Sequence, residues 1–302
     1  MKKKLVALMV LVPMLVFSLL AWGQGERAKF PVFVSIIPQA SFLERIGGNH
    51  VDVEVLIGEG QSPHNYEPTP KQMAKLATAR AYFRIGVPVE KGVMRKIRQS
   101  HKNLVIVETQ KGIVYRYLAG HHHDHGERQG KHLAAAAAGK REPDPHIWMN
   151  PRLVKIQARN IQDALGRLDP VHKREYAANL QAFEADLDRV DTRIARSLAP
   201  FRGSNMYVFH PAFGYFADAY GLIQVPIEIE GKEPSARQLA DLIDGAKKDR
   251  VKVMFVQPQF SRRSAEAVAK AIGGVVVPIN PLARDYLANL ERIAAAVEQG
   301  LR

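Results

Sequence analysis

The sequence contains no cysteine. This absence excludes disulfide bonds, thiolate nucleophiles and cysteine-type zinc sites, so any zinc ion held here must be bound by nitrogen and oxygen ligands. It also removes the lipobox cysteine, so we do not expect a lipoprotein at this N-terminus. An exported chain without disulfides fits a bacterial envelope.

Acidic residues are fewer than basic ones, with 30 Asp and Glu against 43 Lys and Arg and a formal net charge of +13 at pH 7. A basic surface can attract anionic membranes or nucleic acid. The sequence has no nucleic-acid-binding motif and no interleaving of aromatic with basic residues. We therefore expect no nucleic-acid partner and interpret the charge as a solvated surface, with surface adhesion as an open alternative.

The N-terminus has the pattern of an export signal. Lys2–Lys4 form a positive segment, Leu5–Leu20 is almost entirely apolar, and Ala21-Trp22-Gly23 places small residues at the −3 and −1 positions of a cleavage site. The apolar run is shorter than the ~20 residues that a membrane-spanning helix needs, which favours cleavage over an uncleaved anchor. Residues 1–23 are therefore predicted to be a signal peptide, and the mature chain is expected in the periplasm or at an extracytoplasmic face.

From residue 30 onward, short apolar runs rich in β-branched residues alternate with helical patterns. This alternation predicts an α/β fold with mostly parallel sheets flanked by helices. A chain of 302 residues exceeds the usual single core, so two lobes are expected, at residues 30–168 and 200–302. Their strands are predicted at Pro31–Pro38, Val51–Ile57, Ala81–Ile85, Leu104–Val107, Met206–Phe209, Gln224–Ile227, Val251–Val256 and Val275–Ile279.

The segment 169–199 is predicted to be one long rigid helix that joins the lobes. Its apolar residues are spaced by three and four, which places them on one face: Leu180, Phe183, Leu187, Val190, Ile194 and Leu198. At 1.5 Å per residue such a helix spans roughly 40 Å, too long for one small lobe.

A histidine-rich stretch interrupts the first lobe. Residues 111–141 lack apolar periodicity and are predicted to form a long mobile loop. Its histidines are interpreted as accessory metal sites of low affinity, namely His121, His122, His123, His125 and His132.

Three other histidines share a setting that predicts a metal site. His64, His146 and His210 each adjoin a proline, and His64 and His210 follow the carboxyl ends of predicted strands, where open α/β sheets bind ligands. Three neutral imidazoles suit a borderline ion such as Zn(II), with affinity expected to fall as pH drops through ~6.5. His50 and His172 have plain surface contexts and receive no role.

The fourth ligand position stays open on the residues alone. Asn280, just past the last strand, offers a carbonyl oxygen, but it could equally cap a loop, and water is a third option. An open position is also typical of catalytic zinc sites, so a zinc-dependent hydrolase is an alternative. It would need a general base, for which Glu67 and Glu230 are the nearby candidates, and no His-Glu-x-x-His motif is present.

Five stretches resemble the zinc- and manganese-type solute-binding proteins of ABC importers, the cluster 9 or A-I family. The resemblance covers essentially the whole mature chain. The matching stretches are Ser62-Pro63-His64-Asn65-Tyr66-Glu67-Pro68-Thr69-Pro70, Asp144-Pro145-His146-Ile147-Trp148-Met149-Asn150-Pro151, Phe209-His210-Pro211-Ala212-Phe213-Gly214-Tyr215-Phe216, Glu230-Gly231-Lys232-Glu233-Pro234-Ser235 and Phe255-Val256-Gln257-Pro258-Gln259-Phe260.

The resemblance implies a monomeric metal receptor rather than an enzyme. His64, His146 and His210 correspond by position to the family's histidine ligands, and the bound ion would be cargo delivered to the membrane permease of an ABC importer. Manganese-type members carry an aspartate where this chain has Asn280. Manganese prefers carboxylate-bearing sites, so Zn(II) is favoured, with a manganese or iron receptor as the alternative. Family members with a histidine-rich loop are similarly often zinc proteins.

Overall fold

The computed structural model describes residues 29–100, 104–117, 142–228, 234–260 and 262–302. The predicted signal peptide, the five loop histidines and Glu230 therefore lie outside the described residues. None of the helices within the described ranges combines the length and the apolar character that crossing a membrane requires.

The first lobe is built on a four-stranded parallel sheet in the order β2-β1-β3-β4. Its strands and helices alternate along the chain: β1 (Phe30–Ile36), α1 (Ile37–Gly47), β2 (Val51–Ile57), α2 (Pro70–Ala77), β3 (Ala81–Arg84), α3 (Glu90–Ser100), β4 (Val105–Glu108) and α4 (Pro151–Leu168). β1 is buried from Val32 to Ile36, as expected for an inner strand that is covered on both faces.

The second lobe repeats this topology, with parallel strands in the order β6-β5-β7-β8. Its elements are β5 (Asn205–Val208), α6 (Gly214–Tyr220), β6 (Ile223–Pro226), α7 (Ala236–Lys248), β7 (Val253–Val256), α8 (Arg263–Ile272), β8 (Val275–Pro278) and α9 (Tyr286–Leu301). In each sheet the first strand of the lobe has the second strand on one side and the third strand on the other, so the direction in which strands are added reverses there. Such a reversal leaves a crevice at the carboxyl ends of the strands.

Between the lobes runs α5 (Lys173–Leu198), which has 26 residues and is therefore about 39 Å long. The predicted apolar stripe is buried from Phe183 to Leu198 and packs against α1, α4 and α9. One hydrophobic core consequently continues from the first lobe through the helix into the near side of the second lobe. A smaller cluster fills the far side of the second lobe, around Met254 and Val268.

The predicted fold class is confirmed: two parallel sheets flanked by helices, with a long helix between them. The ends of some elements differ from the predicted ones, for reasons that lie in the local sequence. The first strand was predicted to reach Pro38, but the chain enters α1 at Ile37, and proline is well tolerated in the first turn of a helix. The long helix begins at Lys173 rather than at residue 169 because residues Pro170–His172 form a 3₁₀ turn.

Truncation of Phe183 tests whether the long helix is a structural part of the core. Its ring is fully buried, 5.9 Å from the ring of Phe42. Phe183→Ala is expected to lower the free energy of unfolding by about 3–5 kcal/mol, measured by urea denaturation, because it removes buried apolar surface and leaves a cavity.

The exposed neighbour Gln181 provides the control. Gln181→Ala should change the free energy of unfolding by less than about 0.5 kcal/mol. An equally small change in Phe183→Ala would show that the helix is not part of the core.

Candidate metal centre between the lobes

His64 lies on the segment that follows β2. Pro63 is buried, and its carbonyl oxygen accepts a hydrogen bond from the backbone N–H of Val89 at 3.3 Å, which ties this segment to the first lobe. The backbone N–H of His64 donates to the Ser62 hydroxyl at 3.3 Å. The residue is exposed overall, while its Nε2 faces the two other histidines of the cluster.

His146 lies between the first sheet and α4, in the sequence Asp144-Pro145-His146. The backbone N–H of Asp144 donates to the carbonyl of Arg116 at 2.9 Å, and the backbone N–H of His146 donates to the Asp144 carboxylate at 3.0 Å. A 3₁₀ turn over Ile147–Met149 follows and leads into α4. These bonds place His146 in the interior, with 3% of its surface exposed.

His210 follows β5 in the second lobe. The side chain of Gln257 fixes its backbone: Nε2 donates to the His210 carbonyl at 2.7 Å, and Oε1 accepts from the His210 N–H at 3.1 Å. The imidazole stacks on the ring of Phe260 with centroids 4.6 Å apart. His210 is 7% exposed.

The three imidazoles converge with their Nε2 atoms facing one another. The Nε2–Nε2 distances are 3.1 Å for His64–His210, 3.3 Å for His146–His210 and 3.4 Å for His64–His146. In a tetrahedral zinc site with Zn–N bonds of 2.0–2.1 Å, two ligand nitrogens lie about 3.3–3.4 Å apart. The spacing therefore matches three corners of such a site.

Two buried carboxylates orient the imidazoles from behind. His146 Nδ1 lies 2.7 Å from Asp144 Oδ1, and His210 Nδ1 lies 2.6 Å from Glu228 Oε1. An N–H donated to a carboxylate fixes the tautomer in which Nε2 carries a lone pair. His64 can donate a hydrogen to only one of these two lone pairs. A bound cation would satisfy all three nitrogens at once.

The surroundings favour neutral imidazoles. The pKa of His64 is lowered from 6.5 to about 3, first by desolvation of the ring and then by repulsion from His146 and His210. Desolvation also lowers the pKa of His210, against the opposing effect of its hydrogen bond to Glu228. Burial opposes ionisation of Asp144, but His146 and Arg116 outweigh it and lower the pKa of this carboxyl. Neutral imidazole is the form that binds metal.

The space enclosed by the histidines is small. The cavity has a volume of about 20 Å³ and is bordered by the apolar side chains of Trp148, Phe260 and Leu282. A volume of ~10–15 Å³ is needed to hold a single water, so the cavity fits one ion or one water and no organic molecule. A second cavity of about 570 Å³ adjoins it and is bordered by Glu44, Glu59, Gly60, Gln259, Asn280 and Asp285.

Asn280 lies in the loop after β8, where its side chain is engaged in hydrogen bonds within the second lobe. Its Oδ1 accepts hydrogen bonds from the backbone N–H of Leu282 at 2.9 Å and from Gln259 Nε2 at 3.3 Å. Its carbonyl oxygen accepts from Asn289 Nδ2 at 2.7 Å. These contacts are those of a loop-capping asparagine. Asn280 borders the larger cavity and is not part of the described group of three potential ligands.

The residues behind the histidines have no predicted role on the sequence alone. Asp144 carried a readable signal, because Asp-x-His places a carboxylate two residues before a potential ligand. Glu228 carried none, since it lies 18 residues after His210 and reaches it only through the fold of the second lobe. Gln257 is likewise brought to His210 by the pairing of β7 with β5.

A further ion pair connects the back of His146 to the second lobe. Arg116 Nη1 lies 2.8 Å from Asp144 Oδ2, and Arg116 Nε lies 2.9 Å from Asp218 Oδ2 on α6. The guanidinium passes directly over Gly214, where a Cβ atom would lie 1.3 Å from Nη1. Only glycine leaves this path open, so Gly214 permits the link between the lobes.

Comparison with known proteins finds a family and relatives that this chain resembles. A family model described as "ZnuA: Zinc-uptake complex component A periplasmic" matches residues 32–300. The high-affinity zinc uptake system protein ZnuA of Bacillus subtilis is 31% identical over 268 residues, covering 86% of this chain and 81% of that protein. The zinc-binding protein AdcA of Streptococcus pyogenes is 28% identical over 290 residues and covers 93% of this chain, which spans only 56% of AdcA.

Solved structures agree with the sequence comparisons. A crystal structure of ZnuA aligns with a TM-score of 0.82 and 38% identity, covering 91% of this chain and all of that chain. A ZnuA deletion mutant with zinc bound aligns with a TM-score of 0.80 and 39% identity, covering 90% of this chain and 98% of that chain.

Two parallel α/β lobes around a histidine cluster define the class of the molecule, a two-lobed protein with a candidate metal centre in its cleft. Within that class, the chain belongs to the ZnuA family.

The lowered pKa of His64 gives a test of the cluster's electrostatics. In the metal-free chain, the His64 ring should stay neutral between pH 7 and pH 5, where an ordinary histidine of pKa near 6.5 becomes protonated. Replacing His146 and His210 by alanine removes their repulsion and should raise the His64 pKa. NMR of ring-labelled histidine measures both values, and wild-type protonation of His64 near pH 6.5 would contradict the geometry.

Proposed function

We propose that the chain is an extracytoplasmic receptor that binds Zn(II) through His64, His146 and His210 and delivers it to an ABC importer. The observation that carries this proposal is the convergence of three Nε2 atoms within 3.4 Å across the two lobes. The ion is cargo, and the protein's task is to hold it and release it.

The donor set favours zinc over manganese or iron. Three imidazole nitrogens face the cavity, whereas the nearest buried carboxylates, Asp144 and Glu228, are bound to the Nδ1 atoms. Imidazole suits zinc, while manganese prefers oxygen ligands such as carboxylates. The names of the Bacillus subtilis relative and of the zinc-bound ZnuA mutant support the same choice for this chain.

We propose water as the fourth ligand. Asn280 Oδ1 already accepts two hydrogen bonds that shape its own loop, so its recruitment would leave the N–H of Leu282 without this partner. The histidine cavity borders Ser62 and Gln259, whose polar groups could hydrogen-bond a water at the open corner.

The receptor role is favoured over hydrolysis because no carboxylate at the histidines is free among the described residues. The cavity at the histidines, about 20 Å³, holds the ion alone, and an organic substrate would have to occupy the adjoining cavity of about 570 Å³. The proposed general base Glu67 is exposed and pairs with Lys96 at 3.4 Å. Asp144 and Glu228 already accept hydrogen bonds from the ligand imidazoles, so neither is free to activate a water.

Export and delivery follow from the proposed role. The family description places its members in the periplasm, and the pattern of residues 1–23 supports export of this chain. The importer's permease is proposed as the partner of a monomeric receptor. The five histidines of residues 121–132 are proposed to bind zinc weakly and to raise its concentration near the cleft.

Release is proposed to begin at His64. Among the described residues, no carboxylate contacts its Nδ1, and its segment is exposed. The other two ligands are fixed by buried carboxylates, and the lobes are joined by buried hydrogen bonds from Trp148 Nε1 to the carbonyl of Pro281 (2.8 Å) and from the Tyr286 hydroxyl to the carbonyl of Trp148 (2.7 Å). Displacing the His64 segment therefore disturbs less structure than separating the lobes.

Loss of a proposed ligand should abolish tight binding. His210→Ala is expected to lower the Zn(II) affinity by more than ~100-fold. This exceeds the 10–100-fold loss that is typical when a residue hydrogen-bonded to a metal ligand, rather than the ligand itself, is removed. Asn280→Ala should change it only a few-fold. Both are measured at pH 7 by competition with a chromophoric chelator, in chains whose five loop histidines are replaced by alanine.

Two outcomes would overturn parts of the proposal. An unchanged affinity in His210→Ala would place the main site elsewhere, and an equally large loss in Asn280→Ala would make Asn280 a ligand. The same titration with Mn(II) as competitor tests the choice of metal, which is wrong if manganese displaces zinc.

The carboxylate behind His210 should matter although it does not face the ion. Glu228→Gln keeps the size of the side chain but removes its charge, which weakens the support of the His210 tautomer. We expect a ~10–100-fold loss of Zn(II) affinity with a stoichiometry of one retained. Glu67→Gln is the matched control at an exposed glutamate and should bind as the wild type does. Equal affinities of both variants would contradict the role of Glu228.

A further inference from the structure

Two histidines with plain surface contexts in the sequence, His50 and His172, lie together where the first lobe meets the long helix. His50 ends the turn after α1, and His172 lies in the 3₁₀ turn before α5. Their imidazoles stack with centroids 3.8 Å apart and planes inclined by 17°. A ring nitrogen of His50, a ring nitrogen of His172 and a carboxylate oxygen of Asp169 all lie within 4.8 Å of one another.

Each imidazole of this pair is held by a carboxylate through one nitrogen. His172 Nδ1 lies 2.5 Å from Asp169 Oδ2, and His50 Nε2 lies 2.8 Å from Glu175 Oε2. Among the described residues, no hydrogen bond uses the other nitrogen of either ring. The arrangement repeats that of the interlobe centre, in which a carboxylate fixes the tautomer and leaves a lone pair for a metal.

We propose that His50 and His172 bind a second divalent ion, with Zn(II) as the fitting class. Imidazole is a ligand that zinc accepts, and water would complete the four positions. Asp169 holds the tautomer of His172 and does not ligate the ion, and the Tyr176 hydroxyl fixes this carboxylate by donating to Oδ2 at 2.7 Å.

Binding at this site requires a small rearrangement. In stacked rings the two lone pairs run almost parallel, so one imidazole must rotate for both to point at a single ion. The side chains of His50 and His172 are 20% and 23% exposed, which gives them access to solvent and room to turn. The nearby Arg80, bonded to the carbonyl of Leu168, opposes a cation here. The site is therefore weaker than the interlobe centre.

The bound ion would join two parts of the molecule. It would connect the turn after α1 to the beginning of α5, and so stabilise the junction of the first lobe with the long helix. The proposal does not depend on the metal chosen by the interlobe centre, since the two sites share no residue.

The test uses the full chain with its other metal-binding histidines removed. In the reference variant, His64, His146, His210 and the five loop histidines are replaced by alanine, which leaves His50, His101 and His172. Equilibrium dialysis should find one Zn(II) per chain, and zinc should raise the thermal midpoint. Adding His172→Ala or His50→Ala should lower the affinity at least tenfold and abolish this rise, whereas His101→Ala should change neither.

Two results would overturn the proposal. The first is that the reference variant binds no zinc, and the second is that its zinc binding survives His50→Ala and His172→Ala. If the reference variant does not fold, the same comparison is made in the otherwise unmodified chain with His50→Gln and His172→Gln. At saturating zinc each variant should bind one ion fewer than the wild type, and equal stoichiometry would exclude the site. Affinity at the interlobe centre is measured separately through His210→Ala, so the two proposals can fail independently.

Discussion

Three imidazole nitrogens must meet within 3.4 Å of one another, although they come from three separate parts of the chain. Lone pairs at this distance repel one another unless a hydrogen or a cation lies between them. The fold maintains the arrangement by fixing two of the rings from behind, His146 through Asp144 and His210 through Glu228. Buried carboxylates are costly to desolvate, and here their hydrogen bonds to imidazole offset that cost. The histidine cluster therefore depends on charges that never face the cavity.

The cluster also depends on how the lobes are joined. His146 belongs to the first lobe and His210 to the second, so a small rotation between lobes would separate their Nε2 atoms. Buried hydrogen bonds from Trp148 and Tyr286 cross the boundary beside the cluster, and the apolar face of α5 extends one core into both lobes. This construction favours a receptor whose lobes move little, with release through the more exposed His64 segment.

Much of the fold was predictable because its signals are local. Continuous apolar strands, the stripe from Phe183 to Leu198 and the turns between them each depend on neighbouring residues. The convergence of His64, His146 and His210 was also inferred, because their positions after predicted strands and beside prolines placed them at one crevice. The role of Glu228 was not, since 18 residues and a strand pairing separate it from His210. For Asn280 the sequence left a ligand, a loop cap and water open, and its hydrogen bonds are those of a loop cap.

The sequence by itself determined the α/β class, the long helix and the choice of the three histidines as candidate ligands. These depend on hydrophobic periodicity and neighbouring prolines, which can be recognised within short segments. Only the tertiary structure decided which nitrogen of His146 and His210 faces the cavity, because that depends on carboxylates behind the rings. It alone also set the size of the cavity at the histidines, about 20 Å³, which is enough for one ion. The stacking of His50 on His172 was equally invisible in the sequence, since contact between residues so far apart in the chain arises only when the first lobe packs against the long helix.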